Sequence, residues 1–243
     1  MQKIEFKKRI CPIDCFRKLN EKCQILIDEA ENDIKKQFII ACYFIEGQYN
    51  FPINTEVGIK YLKHSIKCLD SLIYYIEMLI KGKVIPYNHQ KVIKLLDTKL
   101  KGHQDIYYLL YGKLLKKEKK YFEAKTYFMK SISLENSEAM YEYGKMLYKG
   151  KGSDINKEEA IKYYKKAIEY GNIKALYKYG VLSIDEQSGI HSLKIAAEKS
   201  YQKALFYYAK LLENGVKVQM NKELSSAYLM KAAKKLNQCL NVH

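Results

Sequence analysis

Proline, glycine and arginine are scarce in this sequence. Its 243 residues include 3 prolines, 12 glycines and no tryptophan, and only Arg9 and Arg17 are arginines. So few turn-forming residues exclude a collagen-like chain and argue against a loop-rich all-β domain. With 48% hydrophobic and 29% charged residues, the chain also lacks the composition of a disordered tail. What remains is a folded, helical protein that is long enough to bury a sizeable core.

Signals for membrane insertion or secretion are also missing. The longest apolar runs, such as residues 38–45, are far shorter than the roughly 20 residues of a membrane-spanning helix. Residues 1–10 are charged and precede no apolar stretch typical of a signal peptide, and no Asn-x-Ser/Thr sequon occurs. We therefore expect a cytoplasmic or nuclear protein that does not associate with membranes.

The six cysteines show neither a disulfide framework nor a complete metal site. They follow no regular spacing, whereas a disulfide scaffold would be denser and more regular. Cys11, Cys15 and Cys23 fall on one face of a predicted helix, but no nearby histidine supplies a fourth zinc ligand. We interpret them as buried free cysteines and predict that the chain holds no metal.

Motifs for catalysis or cofactor binding are absent as well. The five histidines are scattered, and neither His-Glu-x-x-His nor Gly-x-Ser-x-Gly occurs. Gly150-x-Gly152 has Ile155 where a dinucleotide-binding loop needs its third glycine, so we interpret this pair as the end of a helix. The sequence therefore predicts a protein that is not an enzyme and binds no cofactor.

An internal repeat organises most of the sequence. Three stretches align with spacings of 36 and 29 residues: Ala139-Met-Tyr-Glu-Tyr-Gly144, Ala175-Leu-Tyr-Lys-Tyr-Gly180 and Ala204-Leu-Phe-Tyr-Tyr-Ala209. A second pattern, Ala160-Ile-Lys-Tyr-Tyr-Lys-Lys-Ala167, follows the first stretch and recurs from Ala124 and from Ser225. Self-similarity at such a period is the sequence signature of stacked helical repeats.

Each of the two patterns has helical spacing. The apolar residues of 140–148 and of 160–168 recur at i, i+3, i+4 and i+7, which gives each segment one apolar stripe. Gly150 ends the first helix, and Asn156 begins the second as its N-cap. The equivalent asparagines of other units are Asn54, Asn88 and Asn221. Small residues such as Gly144 let the two helices pack closely as an antiparallel hairpin.

These motifs resemble a known family. Residues 139–152 read Ala-x-Tyr-x-Tyr-Gly-x-x-Leu-Tyr-x-Gly-x-Gly, residues 159–167 read Glu-Ala-x-x-Tyr-Tyr-x-Lys-Ala, and Gly171-Asn172 follows. This order is similar to the Sel1-like repeat, a relative of the tetratricopeptide repeat, over residues 104–236 and in weaker form from about residue 34. The resemblance implies an all-α, right-handed α-solenoid of about six stacked antiparallel helix hairpins, with a concave groove that binds a protein partner.

The repeat phase predicts the bounds of the helices. An N-terminal helix over 13–30 belongs to an N-terminal segment, residues 1–33, that packs on the first repeat. One domain over 34–243 holds the repeat array. The predicted first helices are 34–47, 70–82, 104–117, 137–149, 172–183 and 201–214. Their predicted partners are 54–68, 88–100, 120–134, 156–170, 187–199 and 221–236.

The high positive charge leaves more than one partner class open. Lysine and arginine exceed acidic residues by 43 − 27 = 16. A pI near 9.3 is typical of nucleic-acid binding, yet phosphate and base recognition favours arginine, which is nearly absent. We predict a protein-interaction scaffold or adaptor that binds a protein or peptide. The alternatives are an RNA-binding helical repeat, or a regulatory repeat segment of a larger protein.

The repeat phase also selects candidate binding residues. In such arrays the first helix of each unit lines the groove, and positions three before and one after Gly144 are expected to face it. Three aromatic residues and three lysines fall at these positions, which suits an acidic peptide with apolar anchors. The predicted groove residues are Leu109, Lys113, Tyr141, Lys145, Tyr177, Val181, Phe206 and Lys210.

Overall fold

Short helices joined by tight turns make up the described part of the chain. A computed structural model describes residue 19, residues 21–49 and residues 51–240, with side chains up to residue 233. These ranges contain thirteen α-helices and no β-strand, which confirms the all-helical fold class. In chain order the helices are α1 (Glu21–Glu29), α2 (Ile34–Glu46), α3 (Thr55–His64), α4 (Leu69–Lys81), α5 (His89–Lys99), α6 (Gln104–Lys117), α7 (Tyr121–Ile132), α8 (Ser137–Lys149), α9 (Lys157–Glu169), α10 (Ile173–Leu182), α11 (Gln187–Glu198), α12 (Gln202–Asn214) and α13 (Lys222–Leu240).

The helix bounds follow the repeat phase closely. The helix predicted over 137–149 is α8, and the one predicted over 172–183 is α10, shorter by one residue at each end. The two largest differences are four residues each: α13 extends to Leu240 instead of residue 236, and α3, predicted to reach residue 68, ends at His64. There the hydroxyl of Ser65 donates to the Leu62 carbonyl and shares a 2.7 Å hydrogen bond with Ser71, so the chain turns instead of continuing the helix. Of the predicted N-terminal helix, residues 13–18 and 20 lie outside the described residues.

Asparagine caps and a left-handed glycine form the turns. The side-chain oxygens of Asn54, Asn156 and Asn221 each accept a hydrogen bond from the backbone N–H three residues on, at 2.8–3.1 Å. These bonds confirm three of the predicted N-caps. Gly150 ends α8 with φ 61°, a conformation that a residue with a Cβ adopts only with strain, and it thereby confirms the predicted C-cap.

The chain forms two compact units, with the boundary between Asn88 and His89. Helices α1–α4 belong to the first unit, while α5–α12 and residues 222–233 of α13 belong to the second. The division at residue 33 and the single domain over 34–243 stay predictions.

In the second unit, each helix packs on its neighbours in the chain. Helix α6 packs on α7, α8 on α9 and α10 on α11, and the second helix of each pair also contacts the next first helix. Large rings fill these interfaces beside small residues: Phe128 and Tyr164 are fully buried, as are Ala139, Ala160 and Ala167. Burial of this apolar surface between neighbours stabilises the array.

A glycine lies at the helix crossing of three hairpins in the second unit, whereas the hairpin of α12 and α13 has Ala209 at the equivalent position. A Cβ atom on Gly112 would lie 2.8 Å from the ring of Phe128, and one on Gly144 would lie 2.9 Å from the ring of Tyr164. At Gly180 the nearest atom would be Cγ of Leu193, at 2.5 Å. A side chain with a Cβ fits at these crossings only if the opposing atoms shift, as predicted for Gly144.

The first unit places its glycine on the other helix. Gly58 lies in α3, the second helix of its hairpin, and a Cβ atom there would lie 2.6 Å from the side chain of Ile45 in α2. Phe44 packs edge-on against Phe51 and stacks on Tyr61, so an aromatic cluster forms the core of this hairpin. In this hairpin the glycine at the close crossing therefore lies on the second helix, whereas in the second unit it lies on the first.

Candidate functional site: the first-helix face

The first helices of the second unit, α6, α8, α10 and α12, lie side by side. Lys113 of α6 lies 3.6 Å from Glu138 of α8, and Lys174 of α10 lies 2.7 Å from the same carboxylate. Tyr177 of α10 contacts the ring of Tyr207 in α12, with centroids 6.3 Å apart. We call the surface that these four helices share the first-helix face. Its charged members are Lys113, Lys116, Glu138, Glu142, Lys145, Lys149, Lys174, Lys178, Lys203 and Lys210.

Two asparagines join successive first helices. The Oδ1 atom of Asn136 caps α8 by accepting from the N–H of Ala139 at 3.0 Å, while its amide Nδ2 donates to Asp105 of α6 at 3.0 Å. Asn172 repeats the arrangement one period later: it caps α10, and its Nδ2 donates to a carboxylate oxygen of Glu138 at 3.2 Å. Neither cap was predicted from the sequence, although the 36-residue spacing of the two asparagines was a usable signal.

Glu142 is the buried acid of the first-helix face. Its side chain is only 6% exposed, and it accepts hydrogen bonds from Lys116 of α6 and from Lys145 of its own helix. Burial alone would raise the pKa of this carboxyl, but the two ammonium groups outweigh it and lower the pKa to about 2. Glu142 is therefore ionised at neutral pH and fully engaged by α6 and α8.

Lysines dominate the face beyond Glu142. Lys178 of α10 is half-buried, and its pKa is lowered by burial and then by the charges of Lys203, Lys145 and Lys149. We call Lys145, Lys149, Lys178 and Lys203 the lysine cluster. Within the ranges that the structure describes, Lys149, Lys178 and Lys203 form no ion pair, whereas Lys145 binds Glu142.

The predicted groove residues lie on these four helices but differ in accessibility. Leu109 and Tyr141 are each 6% exposed, whereas Phe206 is 40% exposed and Lys210 is exposed. Tyr177 and Val181 are half-buried. Lys113 is bound to Glu138, and Lys145 is bound to Glu142 with its Nζ atom 5.0 Å from the ring centroid of Tyr141. The structure thus brings Tyr141 and Lys145 into contact.

The described ranges show no metal site and no membrane-spanning helix. No group of three or more histidine, cysteine or acidic side chains there is arranged to hold a metal ion. Cys11 and Cys15 lie outside the described residues, so the absence of a zinc site at Cys11, Cys15 and Cys23 stays a prediction; Cys23 itself is fully buried. None of the described helices combines the length and apolar character needed to cross a membrane.

A depression of about 330 Å³ lies against the second helix α9. Its lining includes Glu158, Glu159, Lys162 and Tyr163, all from the N-terminal half of that helix. One exposed helix surface with alternating charges is an ordinary solvated face, and these side chains include no nucleophile paired with a base.

Solved structures with the same arrangement of helices are Sel1-repeat proteins. A Sel1 repeat protein from Oxalobacter formigenes superposes with a TM-score of 0.57 over 82% of this chain and 84% of that one, at 14% sequence identity. The chain has the Sel1-repeat fold. A second Sel1-repeat structure is c5321, a protective antigen of uropathogenic Escherichia coli strains displaying an SLR fold, with a TM-score of 0.54 and 13% identity over 89% of this chain.

The extent of the match differs between the two Sel1-repeat structures. This chain spans only 49% of the length of c5321. No protein-family model and no curated protein matches the sequence. The resemblance drawn from residues 139–152 and 159–167 is therefore confirmed at the level of the fold.

Proposed function

We propose that the chain is a non-catalytic scaffold or adaptor whose first-helix face binds a peptide or protein. The Sel1-repeat fold typically serves protein interaction and is generally non-catalytic, which supports this class of function. The observation that carries the proposal is the continuity of the face. Four first helices bond directly to one another through side chains, which leaves a long surface for an extended partner.

The predicted groove residues have different parts in this proposal. Phe206 and the half-buried Tyr177 and Val181 offer apolar area to a partner, and Lys210 offers a charge. Leu109 and Tyr141 shape the wall beneath. Lys113 joins α6 to α8 through Glu138, and Lys145 pairs with Glu142 within α8. A partner that combines apolar anchors with acidic residues fits this set of side chains.

RNA is the second candidate because the chain carries a net charge of +16. Phosphate and base recognition favours arginine, and helices α6, α8, α10 and α12 contain lysines but no arginine. The composition of the face therefore favours the scaffold over the RNA-binding alternative.

The proposal is tested by capture with two matched variants. Phe206→Glu places a charge on the first-helix face, and Phe122→Glu places the same charge on the second helix α7, where Phe122 is 75% exposed. We expect immobilised parent chain to retain a partner from native extract in the presence of nuclease. Phe206→Glu should lose this partner and Phe122→Glu should keep it. Loss only with Phe122→Glu, or loss of all capture after nuclease treatment, would contradict the proposal.

A further inference from the structure

Helices α8 and α10 carry opposite charges at equivalent positions. Glu138 and Glu142 of α8 correspond to Lys174 and Lys178 of α10, 36 residues later in each case. Lys174 reaches back to Glu138 at 2.7 Å, which sets the two helices in register. Because residues four apart stack along one row of a helix, Lys178 lies one turn further along that row, at the position that corresponds to Glu142 of α8.

Among the described side chains, however, Lys178 pairs with no acid. Glu142 is turned towards α6 and α8, where Lys116 and Lys145 already bind both of its oxygens. The groups that act on Lys178 are instead Lys203, Lys145 and Lys149, all of the same sign. Lys145 and Lys178 are half-buried, while Lys149 and Lys203 are exposed. Ammonium groups that repel one another are stabilised when an anion lies among them. An acidic ligand at the lysine cluster would therefore relieve this repulsion.

We propose that the lysine cluster is the subsite that receives a short run of carboxylates from the partner bound by the first-helix face. This inference rests on the proposed function and specifies the chemistry of the partner. The cluster consists of four lysines on neighbouring helices, so a ligand with a few adjacent negative charges matches it in charge. Lysines also bind carboxylates without the planar geometry that arginine imposes.

The neighbouring side chains suit the flanks of such a segment. Tyr177 precedes Lys178 in the chain, is half-buried and contacts Tyr201 at the start of α12, with ring centroids 5.5 Å apart. Phe206 follows Lys203 by three residues, which places both on one side of α12, and it is 40% exposed. An acidic run that lies on the cluster would thus have aromatic surface within reach for an apolar residue beside it.

The test titrates the full chain with a fluorescent oligoglutamate peptide and with its oligoglutamine counterpart. The test variant is the double change Lys178→Gln, Lys203→Gln. The control is Lys157→Gln, Lys162→Gln on α9, which removes the same charge from two exposed positions on a second helix. We expect the test variant to bind oligoglutamate at least about tenfold more weakly, with a shallower salt dependence, and the control to change by less than about twofold.

Several outcomes would overturn the proposal. Equal losses in both double variants would mean that only net charge attracts the peptide. Equal binding of the oligoglutamine peptide would mean that charge is not recognised. Oligouridylate bound through the same lysines as tightly as oligoglutamate would assign the cluster to nucleic acid. A melting temperature of the test variant at or above that of the parent separates a lost contact from a lost fold.

The same variants separate this inference from the proposed function. If Phe206→Glu abolishes partner capture while Lys178→Gln, Lys203→Gln retains it, the scaffold function stands and the carboxylate subsite falls. If neither variant affects capture, the first-helix face is not the binding surface and both proposals fall.

Discussion

Helices α8 and α10 occupy the same place in successive hairpins and share their inward residues. Asn136 and Asn172 cap them, Tyr141 and Tyr177 follow, and Gly144 and Gly180 lie at the crossings with the second helices. Their charged residues differ in sign, because Glu138 and Glu142 of α8 become Lys174 and Lys178 in α10. The comparison teaches that this repeat keeps its packing positions while its charged positions are free to change.

The largest expected effect is on stability, and it distinguishes the helix crossing at Gly180 from the one at Gly144. A Cβ on Gly180 would lie 2.5 Å from Leu193 and 2.8 Å from a backbone oxygen of Gly189, whereas at Gly144 the nearest backbone oxygen is 3.3 Å away. A backbone atom moves away from an added Cβ less readily than the end of a side chain does. We expect Gly180→Ala to lower the free energy of unfolding by about 3 kcal/mol and Gly144→Ala by about 1 kcal/mol, after the helix propensity gained by alanine.

Urea denaturation followed by circular dichroism measures both values. The same method on Gly102→Ala provides a control, because nothing lies within 4 Å of a Cβ placed there. Equal losses at Gly144 and Gly180 would show that the two crossings are not distinguished by the backbone contact.

The next prediction concerns the stability contributed by Glu142 of α8, whose counterpart in α10 is Lys178. Glu142→Gln leaves Lys116 and Lys145 without their carboxylate, and we expect it to destabilise the fold by about 2 kcal/mol at pH 7. Because the folded pKa of Glu142 lies near 2, below its ordinary value of 4.5, its stabilisation is present above 4.5 and is lost as the pH falls towards 2.

The difference between parent and Glu142→Gln should therefore shrink between pH 4.5 and pH 2 in urea denaturation. Glu213→Gln is the matched control, since Glu213 is exposed on α12 and its replacement should change stability by less than about 0.5 kcal/mol. A difference for Glu142→Gln that stays constant down to pH 2 would contradict the ion-pair explanation.

A smaller effect tests the caps. Asn172→Ala removes the N-cap of α10 and the hydrogen bond to Glu138 of α8, and we expect a loss of about 1–2 kcal/mol. Asn156→Ala removes a cap of α9 whose amide reaches only Glu159 of the same helix, so it should cost about 0.5–1 kcal/mol. Thermal melts of the two variants give the comparison, and a larger loss for Asn156→Ala would refute the bond between hairpins as a source of stability.

The smallest expected effect is a difference in melting temperature between variants of Lys174 and Lys178, two lysines of α10. Lys174→Gln loses the ion pair with Glu138, whereas Lys178→Gln removes a charge that lies over the Tyr177 ring and whose charged neighbours are other lysines. Both changes should stay within about 0.5 kcal/mol, the first lowering and the second raising the melting temperature at low salt. High salt should bring both variants to the parent value. Shifts in the same direction would argue against an uncompensated lysine cluster.

The helices were predictable from the sequence because their determinants are local. The period, the asparagine caps and Gly150 lie within a few residues of the bounds they set, so α8 and α10 were located to within one residue. The same periodicity predicted the close crossing at Gly144, which the structure confirms.

The charged contacts of the face were not predictable in the same way. Whether Glu142 binds Lys116 or Lys178 depends on how α6, α8 and α10 align, and no local signal encodes that alignment. Tyr141 was selected as a groove residue, yet it is 6% exposed, with Lys145 and Lys174 lying 5.0 and 6.0 Å from its ring centroid. Helical periodicity gives the direction of a side chain but not the long neighbours that cover it.

The amides of Asn136 and Asn172 give the array a direction. Each oxygen serves its own helix, but each N–H finds its acceptor in the preceding hairpin, at Asp105 or Glu138. Removing hairpins from the C-terminal side leaves every remaining amide bonded. Removing them from the N-terminal side leaves the first remaining amide without an acceptor. A shortened or shuffled array is therefore expected to tolerate loss at one end better than at the other, so the hairpins are not interchangeable modules.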